Sequence, residues 1–225
     1  MITIIYRCSE KVSHPEFRPQ GFSKIECVEN LLACFGYEDS RIVFIHDGDE
    51  GELFNHLHSR SNLRLFKYEI IKINERSNAG SLNFCLDYAK ENVDTEYVYF
   101  CEDDYLHHSY ADFHMFDGLK SFPNSIISLY DHPDRYTRSD DIGDVKVKLG
   151  RLGHWRTAES TTCTWATSTE LFKNDLYKPA KIAGLDDRGF FRGVYAQNGI
   201  RLHTPIPGYA THCHIPFISP FFKEL

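Results

Sequence analysis

The sequence predicts an α/β protein whose mixed, mostly parallel sheet is flanked by helices. Three observations carry that expectation. Strand-length apolar runs alternate with stretches of helical periodicity through the first half of the chain. The first of these runs is β-branched and unbroken, as suits a strand covered on both faces. Two of them end in acidic turns, "HDGD" at 46–49 and "CEDD" at 101–104, and a parallel sheet brings such turns together outside the carboxyl ends of its strands.

In chain order, "ITIIYRC" reads as a strand, and "FSKIECVENLLACFG" as a helix closed by Gly36. "RIVFIHDGD" is a strand with an acidic turn, "ELFNHLHSRS" a short helix and "LRLFKYEI" a third strand. "SLNFCLDYAKEN" puts Leu82, Cys85, Leu86 and Ala89 on one helical face, and "EYVYF" is the fourth strand. The second half is less regular. "DFHMFDGLKSF" reads as helix, "SIISLYD" as strand, "TTCTWATSTELF" as a strand running into a helix, and "LDDRGFFRGVYAQNG" as a helix ended by Gly199. "IRLHTPIPGYATHCHI" supplies a last strand and loop. No repeat or linker interrupts the chain, so one domain over 1–225 is expected, built as two lobes at 1–104 and 105–225.

Composition narrows the function. Of 225 residues, 42% are hydrophobic and 14% aromatic, which is enough to build a sizeable core. The formal charge is −7 and no basic run reaches four residues, so the electrostatic footprint of a nucleic-acid binder is missing. Seven cysteines without a CxxC pair read as reduced thiols rather than a disulfide or zinc framework. The start, "MITIIYRCSEK", has no signal-peptide pattern, and no segment is long and apolar enough to span a membrane. The expected location is cytoplasmic, with the apolar tail "IPFISPFFKEL" packing on the body, on a partner, or peripherally on a membrane.

Glu102, Asp103 and Asp104 are the chemical focus. Three adjacent carboxylates at the tip of a buried strand repel one another, so they need open water or a compensating cation. A hard divalent ion such as Mn²⁺ or Mg²⁺ takes carboxylate oxygens and often keeps a nucleotide's phosphates as further ligands. The plain structural alternative is a solvated acidic turn.

The arrangement around this triplet resembles the GT-A glycosyltransferases, which move a sugar from a nucleotide-sugar donor. The resemblance rests on "ITIIYRC" at the start, "FIHDGD" after the second strand, "ERSNAGSLNFCLDYA" before the fourth, and "YVYFCEDD" as a Glu-Asp-Asp version of the DxD motif. It implies Asp104 as metal ligand, with Glu102 and Asp103 facing the donor's ribose and sugar. It further implies that Asp47 meets the nucleobase. Asn78, Gly80 and Asn83, spaced N-x-G-x-x-N, resemble an Asn- and Gly-bearing segment under the donor, where Gly80 allows close backbone approach and a helix start favours phosphate. Their structural alternative is a loop in which Asn78 or Ser81 caps a helix. Arg76 could reach the base or phosphates, or stand exposed.

His212 and His214 in "YATHCHIP" alternate and would share a strand face. The resemblance offers either as a further metal ligand, with His212 ahead. Asp186 and Asp187 in "GLDDRGFF" fall where the superfamily carries its x-Glu-Asp motif, with Asp187 as general base and Asp186 in place of the Glu; their alternative is helix capping. Trp165 and Trp155 are candidates for stacking on a sugar, against a core role. The polar stretch "DHPDRYTRSDDIGDVKVKLG" offers Arg135 and Arg138 as phosphate partners, in a loop that either orders over the donor or is a surface hairpin.

The activity implied is metal-dependent, inverting transfer from a nucleotide-diphosphate sugar, UDP-sugar favoured, to an acceptor hydroxyl. The acceptor, be it glycan, lipid-linked sugar, small molecule or modified nucleic acid, is not specified, nor is the oligomeric state. Rival readings are a non-catalytic nucleotide- or sugar-binding module of the same fold and a metal-dependent phosphoesterase. A nucleotidyltransferase would normally carry a Gly-rich loop after the first strand, where this chain reads "RCSEKVSHPEF".

Overall fold

The computed structural model describes residues 1–37, 39–62, 68–137, 145–161 and 164–222. In chain order these form β1 (Ile2–Cys8), α1 (Lys24–Phe35), β2 (Ser40–Asp47), α2 (Glu52–Asn62), β3 (Tyr68–Ile73), α3 (Asn78–Asn92), β4 (Tyr97–Glu102), β5 (Tyr105–His107) and α4 (Ala111–Ser121). They continue through β6 (Ile126–Ile127), β7 (Val147–Leu149), β8 (His154–Ala158), β9 (Trp165–Ser168), α5 (Thr169–Leu171), α6 (Tyr177–Ala183), α7 (Asp187–Asn198), β10 (Leu202–Ile206) and β11 (Ala210–His212). A π turn, Phe172–Leu176, joins α5 to α6.

One sheet of nine strands runs β3-β2-β1-β4-β9-β6-β10-β8-β7, and β11 pairs with β5 in a small second sheet. The first four strands are parallel, and β9 returns antiparallel to β4. Side-chain alternation explains the layers. Ile2, Ile4 and Tyr6 of β1 pack with Ile42 and Phe44 of β2 and with Tyr99 of β4 against α1, α2 and α4. Ile5, Val43, Ile45, Val98 and Phe100 point the other way, against α3, α6 and α7. A strand with residues buried on both sides has no solvent face to alternate with, hence the unbroken apolar runs.

The second half departs from the expectation in four places. "SIISLYD" yields only a two-residue strand; just past it the Ser128 hydroxyl pairs with that of Thr161 and accepts from the Tyr130 amide. "GHWRTA" is a full strand, β8, which its buried Arg156 disguised; that guanidinium pairs with Asp131. "ATH" belongs to the small sheet with β5. The helix after "TTCTWATS" is broken by the π turn. Residues 63–67 of the third predicted strand and 138–144 of the polar stretch, with Arg138, lie outside the described residues. Arg135 is buried and donates to the Ser160 carbonyl at 2.9 Å, so it faces the interior.

Both tryptophans are core. Trp155 is fully buried with Nε1 donating to Asp117 at 3.0 Å. Trp165 packs on Phe100 and Phe190, with centroids 4.6 and 5.6 Å away. Neither presents a face to a ligand, which corrects the platform reading. The apolar tail lies on the body: Phe222 is buried and Tyr130 donates to the Phe217 carbonyl at 2.6 Å. The six described cysteines are free and buried. No helix among the described residues is long and apolar enough to cross a membrane.

Two buried histidines give the fold a pH dependence. Burial holds His107, bonded to the Tyr99 hydroxyl at 2.7 Å, down at about 3. Burial, aided by the charges of Lys148 and Arg201, holds His203 at about 4. Above about pH 6.5 both are neutral whether folded or not, and stability is complete. As pH falls below that, the unfolded chain binds protons the folded chain refuses, so stability declines towards pH 4 and then 3. Between about pH 7 and 5 each histidine is expected to remove about 1–2 kcal/mol, read as a falling denaturation midpoint. His203→Phe should flatten that slope; an unchanged slope would refute the assignment.

Candidate active site

The acidic triplet lies at the carboxyl end of β4, beside the end of β1, and each carboxylate has its own basic partner. Arg7, in register with Glu102, forms an ion pair with it. The other arm of Arg7 donates to the Asn78 carbonyl at 2.9 Å, to Ser81 at 3.1 Å and to the Asn78 side chain, tying the triplet to the start of α3. Asp103 accepts from the Ser9 amide at 2.9 Å and from Lys24 Nζ at 2.8 Å. Lys24, the first residue of α1, also donates to the Ser9 and Lys11 carbonyls at 2.8 and 2.6 Å.

Asp104 Oδ2 lies 2.9 Å from Arg18 Nη2 and 3.0 Å from His212 Nε2. Burial pushes its carboxyl up, but the hydrogen bond and charge of His212, with the Arg18 guanidinium, outweigh this and hold it at about 2. Asp103 goes the other way: burial raises it, against the pull of Lys24. The repulsion inherent in the triplet is therefore met by buried cations. The sequence alone did not single out Arg7, Arg18 or Lys24; the one local hint is Arg7, a charge closing a buried apolar strand.

His212 is positioned by the small sheet. β11 pairs with β5 so that His212 sits opposite Tyr105, on which its ring stacks at 5.0 Å. His214 lies past the strand end, stacked on Phe217 at 5.0 Å, with its ring centroid 5.5 Å from that of His212. Burial, then the charges of His212, Arg18 and His14, lower its basicity.

On the same edge of the sheet, at the carboxyl ends of β2 and β3 with β1 between them and β4, opens a cavity of about 420 Å³ lined by Gly48, Asp49, Lys72, Ile73, Asn74 and Arg76. Asp47 shapes it by accepting the Arg76 amide at 2.9 Å. That bond holds Arg76 in the left-handed region, φ +49°, which a non-glycine residue enters only when its surroundings compel it. The Arg76 side chain donates to Asn74 at 2.7 Å and pairs with Asp49 at 2.6 Å, closing one wall.

The "SNAGS" turn starts α3 with Ser77 as N-cap, not Asn78 or Ser81, its hydroxyl accepting from the Gly80 amide at 3.0 Å. A Cβ on Gly80 would lie 2.7 Å from that hydroxyl and 2.8 Å from the Glu75 carboxylate, so a larger residue there would press both side chains aside. In the second half of the chain, Asp186 caps α7 by accepting from the Gly189 amide at 2.9 Å, and Asp187 is the first helical residue. Phe190 and Phe191 in the same turn pack on Trp165, which pairs with Phe100, two residues before Glu102. The first turns of α7 thus pack, through Trp165, towards β4, the strand that carries the triplet.

No protein-family profile matches this sequence, and no curated protein matches it in sequence. Its structure matches a Staphylococcus aureus TarS fragment, residues 1–349, with TM-score 0.57 at 14% identity, over 91% of this chain and 60% of that one. It also matches the mannosyltransferase PcManGT from Pyrobaculum calidifontis, solved with GDP-Man and Mn²⁺, with TM-score 0.58 at 14% identity, over 91% of this chain and 54% of that one. The chain has the GT-A fold. It spans little more than half the length of these two neighbours.

A divalent ion, as GT-A enzymes of the metal-dependent kind use, fits the residues present. Asp104 Oδ2 and His212 Nε2 are 3.0 Å apart, the separation of adjacent ligands on an octahedral ion with bonds of about 2.1 Å. Asp104 Oδ1 is buried with no hydrogen-bond partner among the described residues. Carboxylate and neutral imidazole are donors that Mn²⁺ accepts. No group of three or more His, Cys, Asp or Glu side chains is arranged around an ion among the described residues. The protein would therefore supply two ligands, leaving places for phosphate oxygens and water.

Proposed function

We propose that the chain is a metal-dependent glycosyltransferase that moves a sugar from a nucleoside-diphosphate sugar, UDP-sugar favoured, to an acceptor hydroxyl with inversion. The observation that supports it most is the pairing of buried Asp104 with His212 just past the carboxyl end of β4, on the sheet edge that also carries the cavity at the ends of β2 and β3. The bound GDP-Man and Mn²⁺ of the mannosyltransferase neighbour agree with this reading.

In this reading the half at 1–104 takes the donor and the half at 105–225 the acceptor. Asp47 and Arg76 form the wall against which the nucleobase lies. Asn78 and Gly80 at the start of α3 face the diphosphate. Glu102 and Asp103, oriented by Arg7 and Lys24, face ribose and sugar. Asp104 and His212 hold the ion, with His214 behind His212. A bound Mn²⁺ or Mg²⁺ supplies positive charge to the departing diphosphate. Asp187 takes the proton of the acceptor hydroxyl onto its carboxylate, with Asp186 fixing the helix turn on which it stands. The proposed setting is cytoplasmic, free or peripheral to a membrane.

A non-catalytic nucleotide-binding module is the second reading, favoured by the three basic partners that already compensate the triplet. Thermal melting with UDP and GDP, each with and without Mn²⁺, tests for a donor site. Ligand at about a hundred times its Kd adds about 3 kcal/mol, or roughly 5–10 °C for a chain of this size. The shift is expected only with metal present and to be larger for UDP. No shift with either nucleotide would sink the donor reading.

A further inference from the structure

Arg18 occupies the place from which a metal ion would have to displace it. All three of its guanidinium nitrogens are engaged: Nε with the Ser13 carbonyl at 2.9 Å, Nη1 with the Cys213 carbonyl at 2.8 Å, and Nη2 with Asp104 Oδ2 at 2.9 Å. Its side chain is 7% exposed. The oxygen it holds is the one that faces His212 Nε2. A divalent ion shared by that oxygen and that nitrogen would sit in contact with a guanidinium, and two cations in a buried site repel strongly.

The segment carrying Arg18 is built to let go. The short turn Pro15–Phe17 buries none of its residues, and residues 11–17 are exposed. Lys24 differs, being the first residue of α1 and clasped by two carbonyls as well as by Asp103. Withdrawing Lys24 would disturb a helix, whereas withdrawing Arg18 moves a surface loop.

We infer that Arg18 is an exchangeable cation: it neutralises Asp104 while the metal is away, and on metal entry it leaves Asp104 and pairs with the donor's diphosphate. This rests on the metal reading of Asp104 and His212. Its consequence is that metal and nucleotide bind synergistically. Metal alone must expel a satisfied Arg18, while metal with a diphosphate gives Arg18 a new anion, and by linkage each ligand tightens the other by the same factor.

The test is a titration of the whole chain with Mn²⁺, following the paramagnetic resonance of free Mn²⁺, without nucleotide and with saturating UDP or GDP. Wild-type protein should bind Mn²⁺ weakly alone and at least tenfold more tightly with nucleotide. Arg18→Gln should bind Mn²⁺ alone at least tenfold more tightly than wild type, with the nucleotide effect shrinking towards one. Arg18→Lys, which keeps the charge, should stay close to wild type for Mn²⁺ alone. Arg18→Met replaces the Gln variant if that one fails to melt cooperatively. If neutral variants bind Mn²⁺ alone no more tightly than wild type, while wild type still binds it with nucleotide, the exchange is wrong and the metal site stands. If wild type binds no Mn²⁺ in any arm, the metal reading falls and the exchange with it.

Discussion

Asp104→Asn is expected to lower Mn²⁺-dependent sugar transfer by three orders of magnitude or more while the chain stays folded. Asparagine keeps the shape and one acceptor oxygen, so the contact with His212 Nε2 can persist. The lost charge is what matters, because a metal that neutralises a leaving diphosphate is worth several kcal/mol, and about 4 kcal/mol is a thousandfold in rate. The same change removes the counter-ion of Arg18, a nearly buried side chain. An unpaired buried charge can cost about 3–5 kcal/mol, but Arg18 stands on an exposed segment and can turn to water, so a loss nearer 1–2 kcal/mol is expected. Turnover with a panel of nucleotide sugars, beside a denaturant melt, separates the two effects. The double variant Arg18→Gln/Asp104→Asn should recover stability without recovering turnover. Wild-type turnover in Asp104→Asn would remove Asp104 from the metal site.

Local patterns carried the first half of the fold into view. β1 is legible because Ile2, Ile4, Ile5 and Tyr6 are buried across its two faces, and Thr3 among them is itself β-branched and buried. α1 is legible because Val28, Leu31, Leu32 and Phe35 recur at helical spacing and Gly36 ends it. The acidic turn was visible for the same reason, as an abrupt change from apolar to charged at the end of β4. What escaped was long-range pairing. Asp104 meets His212 across 108 residues, Glu102 meets Arg7 across 95 and Asp103 meets Lys24 across 79. No period in the sequence links such positions. The resemblance suggested His212, but nothing marked Arg18 in "PEFRPQ" as a buried cation. β8 was hidden because its buried Arg156 is neutralised by Asp131, 25 residues upstream. Trp155 and Trp165 misled in the opposite direction, since a large aromatic residue reads alike as a stacking surface or as core until its neighbours are known.

Asp187→Asn is expected to reduce kcat by about a hundredfold to ten-thousandfold, the range for losing a general base, while leaving Mn²⁺-dependent nucleotide binding unchanged. The split follows from position. Asp187 begins α7, whose first turn packs through Phe190 and Phe191 on Trp165, whereas the cavity proposed for the nucleotide is lined by Lys72 and Ile73 of β3 and by residues just past β2 and β3. Stability should fall little, because a carboxylate in the first turn of a helix contributes about 0.3–1 kcal/mol through the helix dipole. Asp186→Asn is the control. Asparagine caps a helix about as well as aspartate, so that variant should keep both its melting midpoint and most of its turnover if Asp186 only accepts from the Gly189 amide. Equal losses in the two variants would mean that the pair shares the proton. Nucleotide binding without turnover in the wild-type chain would favour the non-catalytic module. Wild-type kcat in Asp187→Asn would move the base elsewhere and leave inversion without its supporting residue.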